Sequence, residues 1–418
     1  IGVWAMGLTQ QQNGVDNVNA LVNFLLLGGH MGKPGAGTCC VRGHSNVQGD
    51  RTMGVWERPG KPFLEALGRE FNFVAPAKWG RDTVETIHGM CDGQVKVFIA
   101  ISGNFVSNTP DTAYTAHAIQ KCRLTAYVST KLNRSHVVTG EQALILPCIG
   151  RSERDVQNGG LQFVTVEDAM GEIGSSRGVL PPASDDLRSD VAIIAGIAAA
   201  TLGDVAISWS SLAGDYDLIR DSIARVVPGF ANFNQRIRAE KTFYLPNGAR
   251  ERRFQTPSGK AVFSVTPIPK HDLGPGEYLM MTIRTHDQFN STIYGLDDRY
   301  RGVYGGRRVI FLSVDDMLEA GLQPGQLVDI RSHFQGETRI APSFIVVPYT
   351  ISRRCAATYY PETNVLVPIR SVADKSNQPV NKCIRITLVP SQAAAPRDLD
   401  ISTSAIEYNL RRKIPQEA

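Results

Sequence analysis

With 418 residues, 42% of them hydrophobic and 20% charged, the chain has the balance of an ordinary globular protein with two or three full cores. A net charge of +4 is mild, and the arginine clusters lack interleaved stacking aromatics, which argues against nucleic-acid binding. No apolar run approaches the roughly 20 residues that span a bilayer, so no transmembrane segment is expected.

The opening, IGVWAMGLTQ, is apolar and carries glycines. It reads as the middle of a domain whose upstream part is absent, with no secretory signal. Val15, Val18, Leu21, Val22, Leu25 and Leu26 then recur at steps of three and four, predicting a helix over 14–27 that ends at Gly28-Gly29. Residues 32–54, GKPGAGTCCVRGHSNVQGDRTMG, have neither a period of 2 nor one of 3.6. Glycines followed by Arg42, His44, Asn46, Gln48, Asp50 and Arg51 predict a loop wrapped closely around a large polar ligand.

From Val95 the pattern changes. VKVFIAIS is a continuous apolar run suited to a buried parallel strand, and it stops at Gly103-Asn104. A helix over 111–121 follows, then a strand RLTAYVS ending at Thr130 and a third, ALILP, ending at Pro147. Strand, loop, helix, strand in this order predicts a doubly wound, Rossmann-like α/β sheet with its ligand beyond the carboxyl ends of the strands. Gly103, Asn104, Thr130 and Asn133 fall in those loops.

Helices are expected near 186–202 and 214–226; Val191 to Leu202 is alanine-rich and reads as a buried helix. FQTPSGKAVF, at 254–263, combines a Pro-Ser-Gly turn with flanking strand residues. After the Pro/Gly-rich stretch 267–277, short strands alternate with turns (YLMMTIRT, RRVIFLS, QLVDIRS, TRIAPSFIVV, CIRITLVP), which predicts a closed β-barrel. Arg284, His286, Gln288 and Asn290 form a polar run at a strand end. Asn364 sits in YYPETNVLVP, and Lys382 follows Pro379.

Several chemistries are excluded. Gly28 and Gly32 are too close for a phosphate loop, and Pro34 follows Lys33 where that motif needs Ser or Thr after its lysine. The same glycines follow a helix, not a strand, so the dinucleotide fingerprint of a nicotinamide-dependent dehydrogenase fails as well. There is no GxSxG elbow. The seven cysteines are odd in number and irregularly spaced, which points to a reducing, cytoplasmic setting. No CxxC pair occurs, so neither a zinc ribbon nor a complete iron–sulfur site is expected within the chain.

Six motifs in fixed order carry a resemblance: WAMGLTQ (4–10), GKPGAG (32–37), VRGHSNVQGD (41–50), FQTPSGKA (254–261), TIRTHDQFNSTIYG (282–295) and YYPETNVLVP (359–368). Over nearly its whole length the chain resembles the C-terminal half of bis-molybdopterin guanine dinucleotide oxidoreductases of the dimethyl sulfoxide reductase superfamily, in the branch of formate-dehydrogenase-like alpha subunits. The resemblance implies a two-electron reaction at molybdenum or tungsten, with formate as a candidate substrate and an electron-transfer partner. It places the arginine beside metal and substrate carboxylate on Arg42. His44 falls where formate dehydrogenases often carry glutamine. Met6, Gly7 and Gln10 match the pterin and metal-pocket segment. Gly103, Asn104, Thr130 and Asn133 match loops holding one guanine dinucleotide, although Arg134 stands where the family often has threonine. Arg284, Gln288, Asn290, Asn364 and Lys382 match the barrel's cofactor contacts. The family's metal ligand and its 4Fe–4S cysteines would lie upstream of Ile1. The implied organisation is the end of a molybdopterin-binding α/β domain (1–45), a Rossmann-like domain (46–175), a connecting region (176–268), a six-stranded dinucleotide-binding barrel (269–395) and a tail (396–418). The alternative is a relative that has lost the cofactor and serves as a structural subunit of an electron-transfer complex.

Overall fold

Two short parallel strands, Gly2–Trp4 (β1) and Thr38–Cys40 (β2), open the computed structural model, and between them lie Met6–Thr9 (α1) and Gly14–Leu27 (α2). The structure describes residues 1–392 apart from 292 and 294, together with 400–401; the expected tail therefore lies almost wholly outside the described residues, as do two positions of the 282–295 motif. Helix α2 ends as its sequence dictates, with Gly29 at φ +64°, a left-handed turn that costs glycine little. The glycine-rich segment is less irregular than expected. It contributes β2, whose register opposite β1 supplies backbone partners, and the short helix Val47–Thr52 (α3), entered through Asn46 at φ 67°. Periodicity could not have shown either, because both are too short for a repeat.

Lys61–Phe71 (α4) and Thr83–Cys91 (α5) follow, the latter started by a capping box in which Asp82 accepts from Glu85 N–H at 2.9 Å and Glu85 returns the bond at 3.0 Å. Val97–Ile101 (β3), Leu124–Ser129 (β4) and Gln142–Pro147 (β5) form a three-stranded, all-parallel sheet in chain order, with Phe105–Asn108 (α6) and Thr112–Gln120 (α7) in the β3–β4 crossover. On one face, Phe98 packs with Val84, Ile87, Met90, Val106, Ala118 and Ile119. The other face is open: Val97, Ile99 and Ile101 are 51%, 43% and 51% exposed. The expectation of a strand buried on both faces is corrected here. Alternate side chains of β3 point away from α5–α7, and the described residues do not cover them. Nor do the three strands show the reversal of order that defines a doubly wound sheet.

Val164–Glu167 (β6), Glu172–Ser176 (β7) and Thr242–Tyr244 (β8) make a small antiparallel sheet. Asp190–Leu202 (α8) is capped by Ser189 and buries only Ala195, so the fully buried helix read from its composition is also corrected. Tyr216–Val226 (α9) and Phe233–Ala239 (α10) pack Phe230, Phe233 and Ile237 on Ile173 and Phe243, joined by Met53, Phe63 and Leu67 from the α3–α4 region. At 254–263 there is a Thr256-to-Gly259 turn without flanking strands.

The C-terminal part closes into a six-stranded barrel. Its strands are Glu277–Ile283 (β9), Val309–Leu312 (β10), Leu327–Phe334 (β11), Glu337–Pro348 (β12), Cys355–Tyr359 (β13) and Ile384–Pro390 (β14), in the order β9-β13-β10-β12-β11-β14. Met280, Ile310, Leu312, Val328, Ile330, Phe344, Ala356 and Ile386 share one buried cluster, whereas the alternating residues Val309, Phe311, Ile345, Val347, Ala357 and Tyr359 share a second. This is the period-2 pattern of a sheet buried on both faces. No helix among the described residues is long and apolar enough to cross a membrane.

Candidate functional site

Strand ends and loops from distant parts of the chain meet beside the barrel. Arg42 and His44 are exposed on the loop after β2. Arg42 Nη2 donates to Gln48 Oε1 at 2.5 Å, so a residue on α3 holds the guanidinium. His44 Nε2 lies 2.9 Å from Asn290 Nδ2, and its ring meets Phe289 edge-on at 5.8 Å. The glycine-rich segment thus reaches the barrel loop 284–290 across 246 positions of sequence.

That loop is stapled internally. Gln288 Nε2 donates to the carbonyls of Asn290 (2.6 Å) and Tyr360 (2.8 Å), and its Oε1 accepts from Arg307 Nη2 at 2.9 Å. Gln288 therefore shapes the loop with every polar atom it has. Tyr360 donates to Asn108 Oδ1 at 2.9 Å and lies 3.4 Å from Asn290 Oδ1; burial pushes its phenol up, keeping it a donor. Arg307, itself buried, pairs with Glu362 at 2.5 Å.

Lys382 is the strongly perturbed cation of this group. Its ammonium donates to the carbonyl of Thr282 and, at 3.1 Å, to its hydroxyl. Burial, and after it the neighbouring Arg284, pushes Lys382 down to about 8. Arg284 also lies over the Tyr360 ring at 5.8 Å. The Lys382 N–H donates to the carbonyl of Gln10 at 3.0 Å, and Gln10 Nε2 approaches Met6 Sδ at 3.6 Å, which brings the MGLTQ segment against the barrel. A Cβ on Gly7 would meet nothing within 4 Å, so that position borders open space.

Gly103, Asn104, Thr130 and Asn133 make a second group at the carboxyl ends of β3 and β4. Asn133 Nδ2 donates to the Gly103 carbonyl at 2.8 Å, and Ser135 Oγ to Asn104 Oδ1 at 3.1 Å, so the two loops are cross-linked. Thr130 is exposed beyond β4. His136 is buried with Nε2 unpartnered. This group reaches the barrel through its neighbours: Asn108 bonds Ser291 and Tyr360, and Asn364 Nδ2 donates to the carbonyls of Ser107 (2.7 Å) and Thr109 (3.2 Å). Asn364 is 1% exposed, with Oδ1 its unpartnered atom.

Between the groups lies a cleft of about 560 Å³ whose lining includes Gln10, Arg51, Glu57, Arg81, Asp82 and Asn381. Asn381 Oδ1 is buried there without a partner. Amides, two arginines, the carboxylates of Glu57 and Asp82 and the unpaired Asn381 Oδ1 share this lining, which suits a polar ligand that both donates and accepts hydrogen bonds. Among the described residues no group of three His, Cys, Asp or Glu is placed to hold a metal ion. Pattern reading missed Asn108, Tyr360, Arg307, Ser135 and His136; only Tyr360 had a signal, its place in the YYPETNVLVP motif.

No family model matches the chain. It is 51% identical over 395 residues to an uncharacterized oxidoreductase of Mycobacterium tuberculosis, covering 93% of this chain and 51% of that protein. Identity to the protein YdeP of Escherichia coli is 43% over 394 residues, 93% of this chain and 52% of that one. A Staphylococcus aureus protein provisionally named a formate dehydrogenase matches 100 residues at 38% identity, 22% of this chain and 10% of its own length. Among solved structures, acetylene hydratase from Pelobacter acetylenicus superposes with a TM-score of 0.53 at 12% identity, over 82% of this chain and 51% of that one. The chain spans about half the length of the curated relatives it matches, and it shares its α/β-plus-barrel fold with acetylene hydratase.

Proposed function

We propose that this chain is the cofactor-embracing half of a molybdenum- or tungsten-dependent bis-molybdopterin guanine dinucleotide oxidoreductase of the formate-dehydrogenase-like branch, acting on a small carboxylate such as formate. One observation carries the reading: two like charges, Arg284 and Lys382, sit together beside the MGLTQ segment, and burial has already weakened one of them. Such a pair is unfavourable until an anion joins it, and a dinucleotide's phosphates supply that charge.

The residues fit the group. Arg284 and Lys382 would take phosphate oxygens, while Gln10, the acceptor Asn381 Oδ1 and the unpartnered His136 Nε2 would meet ring N–H and C=O groups. Gly103, Asn104, Thr130 and Asn133 would hold the second nucleotide end, where parallel sheets bind ligands. When bound, the cofactor supplies two-electron redox chemistry at its metal. Arg42 presents a planar fork that binds a carboxylate through two parallel bonds and fixes its plane. His44, held at Nε2, keeps Nδ1 as its second polar atom for a proton leaving or reaching the substrate. Metal ligand and iron–sulfur cluster belong, in this reading, outside these 418 residues.

Full-length protein, expressed with metal and pterin supply, is expected to contain about two molybdopterin guanine dinucleotides per metal, as the family resemblance requires. Its oxidised extract should show pterin fluorescence. A metal-free protein without that fluorescence would end the reading and leave the cofactor-less structural subunit.

A further inference from the structure

A neutral imidazole has one donor and one acceptor nitrogen, and the bond made at one fixes the role of the other. On the exposed loop after β2, His44 Nε2 lies 2.9 Å from Asn290 Nδ2, an amide nitrogen that can only donate. Nε2 is therefore the acceptor of this pair, and the ring proton sits on Nδ1.

Which end of the Asn290 amide meets His44 is decided on its far side, where Oδ1 faces the Tyr360 hydroxyl at 3.4 Å. Two further oxygens surround that hydroxyl, Asn108 Oδ1 at 2.9 Å and the Asn108 carbonyl at 3.4 Å. Burial keeps the phenol protonated, so it stands among acceptors as a donor. Rotated by half a turn, the amide would set its own N–H groups against this donor. The backbone holds the residue in place. Gln288 Nε2 donates to the Asn290 carbonyl at 2.6 Å, and a φ of 49° is a left-handed value that asparagine tolerates.

We propose that Asn290, oriented by Tyr360, is a positioning residue that holds His44 in its Nδ1–H form, the opposite of the tautomer a free imidazole favours in water. This deepens the reading of Arg42 and His44 as the substrate-facing pair, and rests on it. Arg42, two residues earlier on the same loop, has donors and no acceptor. With Nδ1 protonated, His44 also offers a donor, so the pair selects a substrate that brings acceptors only. The substrate class is an oxoanion, and a proton moves from His44 to it rather than the reverse. Asn290, matched by resemblance to a cofactor contact, has both ends of its amide committed inside the protein.

Ring ¹⁵N NMR of full-length protein labelled with ¹⁵N-histidine tells a protonated ring nitrogen from a bare one, without turnover. His44→Gln identifies the His44 signals by their loss. Recorded at a pH where the ring is neutral, the parent should carry its proton on Nδ1 and leave Nε2 bare. Asn290→Gly suits the left-handed backbone but removes the donor, and should shift the ratio of Nδ1–H to Nε2–H about tenfold toward Nε2–H, the scale of one hydrogen bond. Asn290→Asp offers acceptors only and should move the proton to Nε2 outright. Tyr360→Phe keeps the amide but removes the donor that orients it, so the ratio should move in the same direction. If the glycine variant does not fold, the aspartate and phenylalanine variants read the same quantity. A parent protonated on Nε2, or a ratio that either Asn290→Asp or Tyr360→Phe leaves unmoved, overturns the proposal. Such a result in protein that does contain pterin sinks this inference alone, whereas absence of pterin sinks the cofactor reading and leaves the tautomer measured.

Discussion

Discharging Lys382 should stabilise the ligand-free protein. Its folded-state pKa is about 8 against an ordinary 10.5, held down by burial and then by Arg284. A gap of that size corresponds to about 3 kcal/mol at 1.36 kcal/mol per unit. Below pH 8 both folded and unfolded chains carry the proton, and the cost is present in full. Between about 8 and 10.5 the unfolded chain binds a proton that the folded one has shed, so stability rises with pH across that window. Lys382→Met removes the cost at every pH but leaves the Thr282 carbonyl and hydroxyl without their donor, a loss of about 1–3 kcal/mol that offsets most of the gain at pH 7. The discriminating quantity is therefore the slope. Thermal unfolding of parent and variant, both ligand-free, should differ by a constant amount below pH 8 and by an amount that moves in the parent's favour between 8 and 10.5. Other titrating thiols and phenols occur in both proteins and cancel in the difference. An anion placed between Arg284 and Lys382 restores the charge, so inorganic pyrophosphate should bind progressively more weakly above pH 8, by up to about tenfold per pH unit. Parallel stability profiles, together with pH-independent pyrophosphate binding, would refute the placement of a buried ammonium at this site.

Asp111→Asn should loosen the barrel from the α/β layer. Asp111 takes two bonds from Arg339 at 2.7 and 2.8 Å and one from the Ile369 N–H at 3.1 Å; Arg339 keeps Glu337 at 2.6 Å, so the expected loss is about 3 kcal/mol, the lower end for a broken buried pair. Hydrogen exchange at the Ile369 amide reads it, and unchanged protection would count against the clip. Arg42→Lys in the full-length enzyme should cost on the order of 100-fold in turnover with metal and pterin retained, because an ammonium cannot fix a carboxylate's plane. Cofactor content falling in step with activity would instead place Arg42 on a cofactor phosphate.

What could be read from the chain followed from periodicity and turn chemistry. Helix 14–27 stops at Gly28, the strand expected to end at Thr130 ends one residue earlier at Ser129, the next ends at Pro147, and five of the six barrel strands lie on the expected apolar runs. Cys355–Tyr359 was missed because CAATY offers small residues and little alternation, and it becomes a strand by pairing with β9 and β10 across long separations. Burial was less legible than secondary structure. VKVFIAIS and the alanine-rich α8 announce surface that must be covered, but not what covers it, and the chain spans only about half the length of its relatives. The site suffered the same limit. His44 and Asn290 each read as polar loop residues, and only folding places them 2.9 Å apart. Glu167, in TVEDAM, has the sequence of a solvated turn and the environment of a core residue.

Several side-chain and backbone bonds join distant parts of the chain. Gln10 is tied to Lys382, Gln12 to Asp374, Asn364 to Ser107 and Thr109, and Asp111 to Arg339. Asn381 Oδ1, on a residue that lines the cleft, and Asn364 Oδ1 and His136 Nε2 in nearby loops are buried without partners. Each such atom is costly in isolation, as is the juxtaposition of Arg284 with Lys382. A ligand that meets such demands stabilises the fold by an amount that grows with its concentration over its dissociation constant. In the proposed reading the cofactor would bridge barrel and α/β layer, so loosening the Asp111–Arg339 clip should weaken its binding even though neither residue lines the cleft.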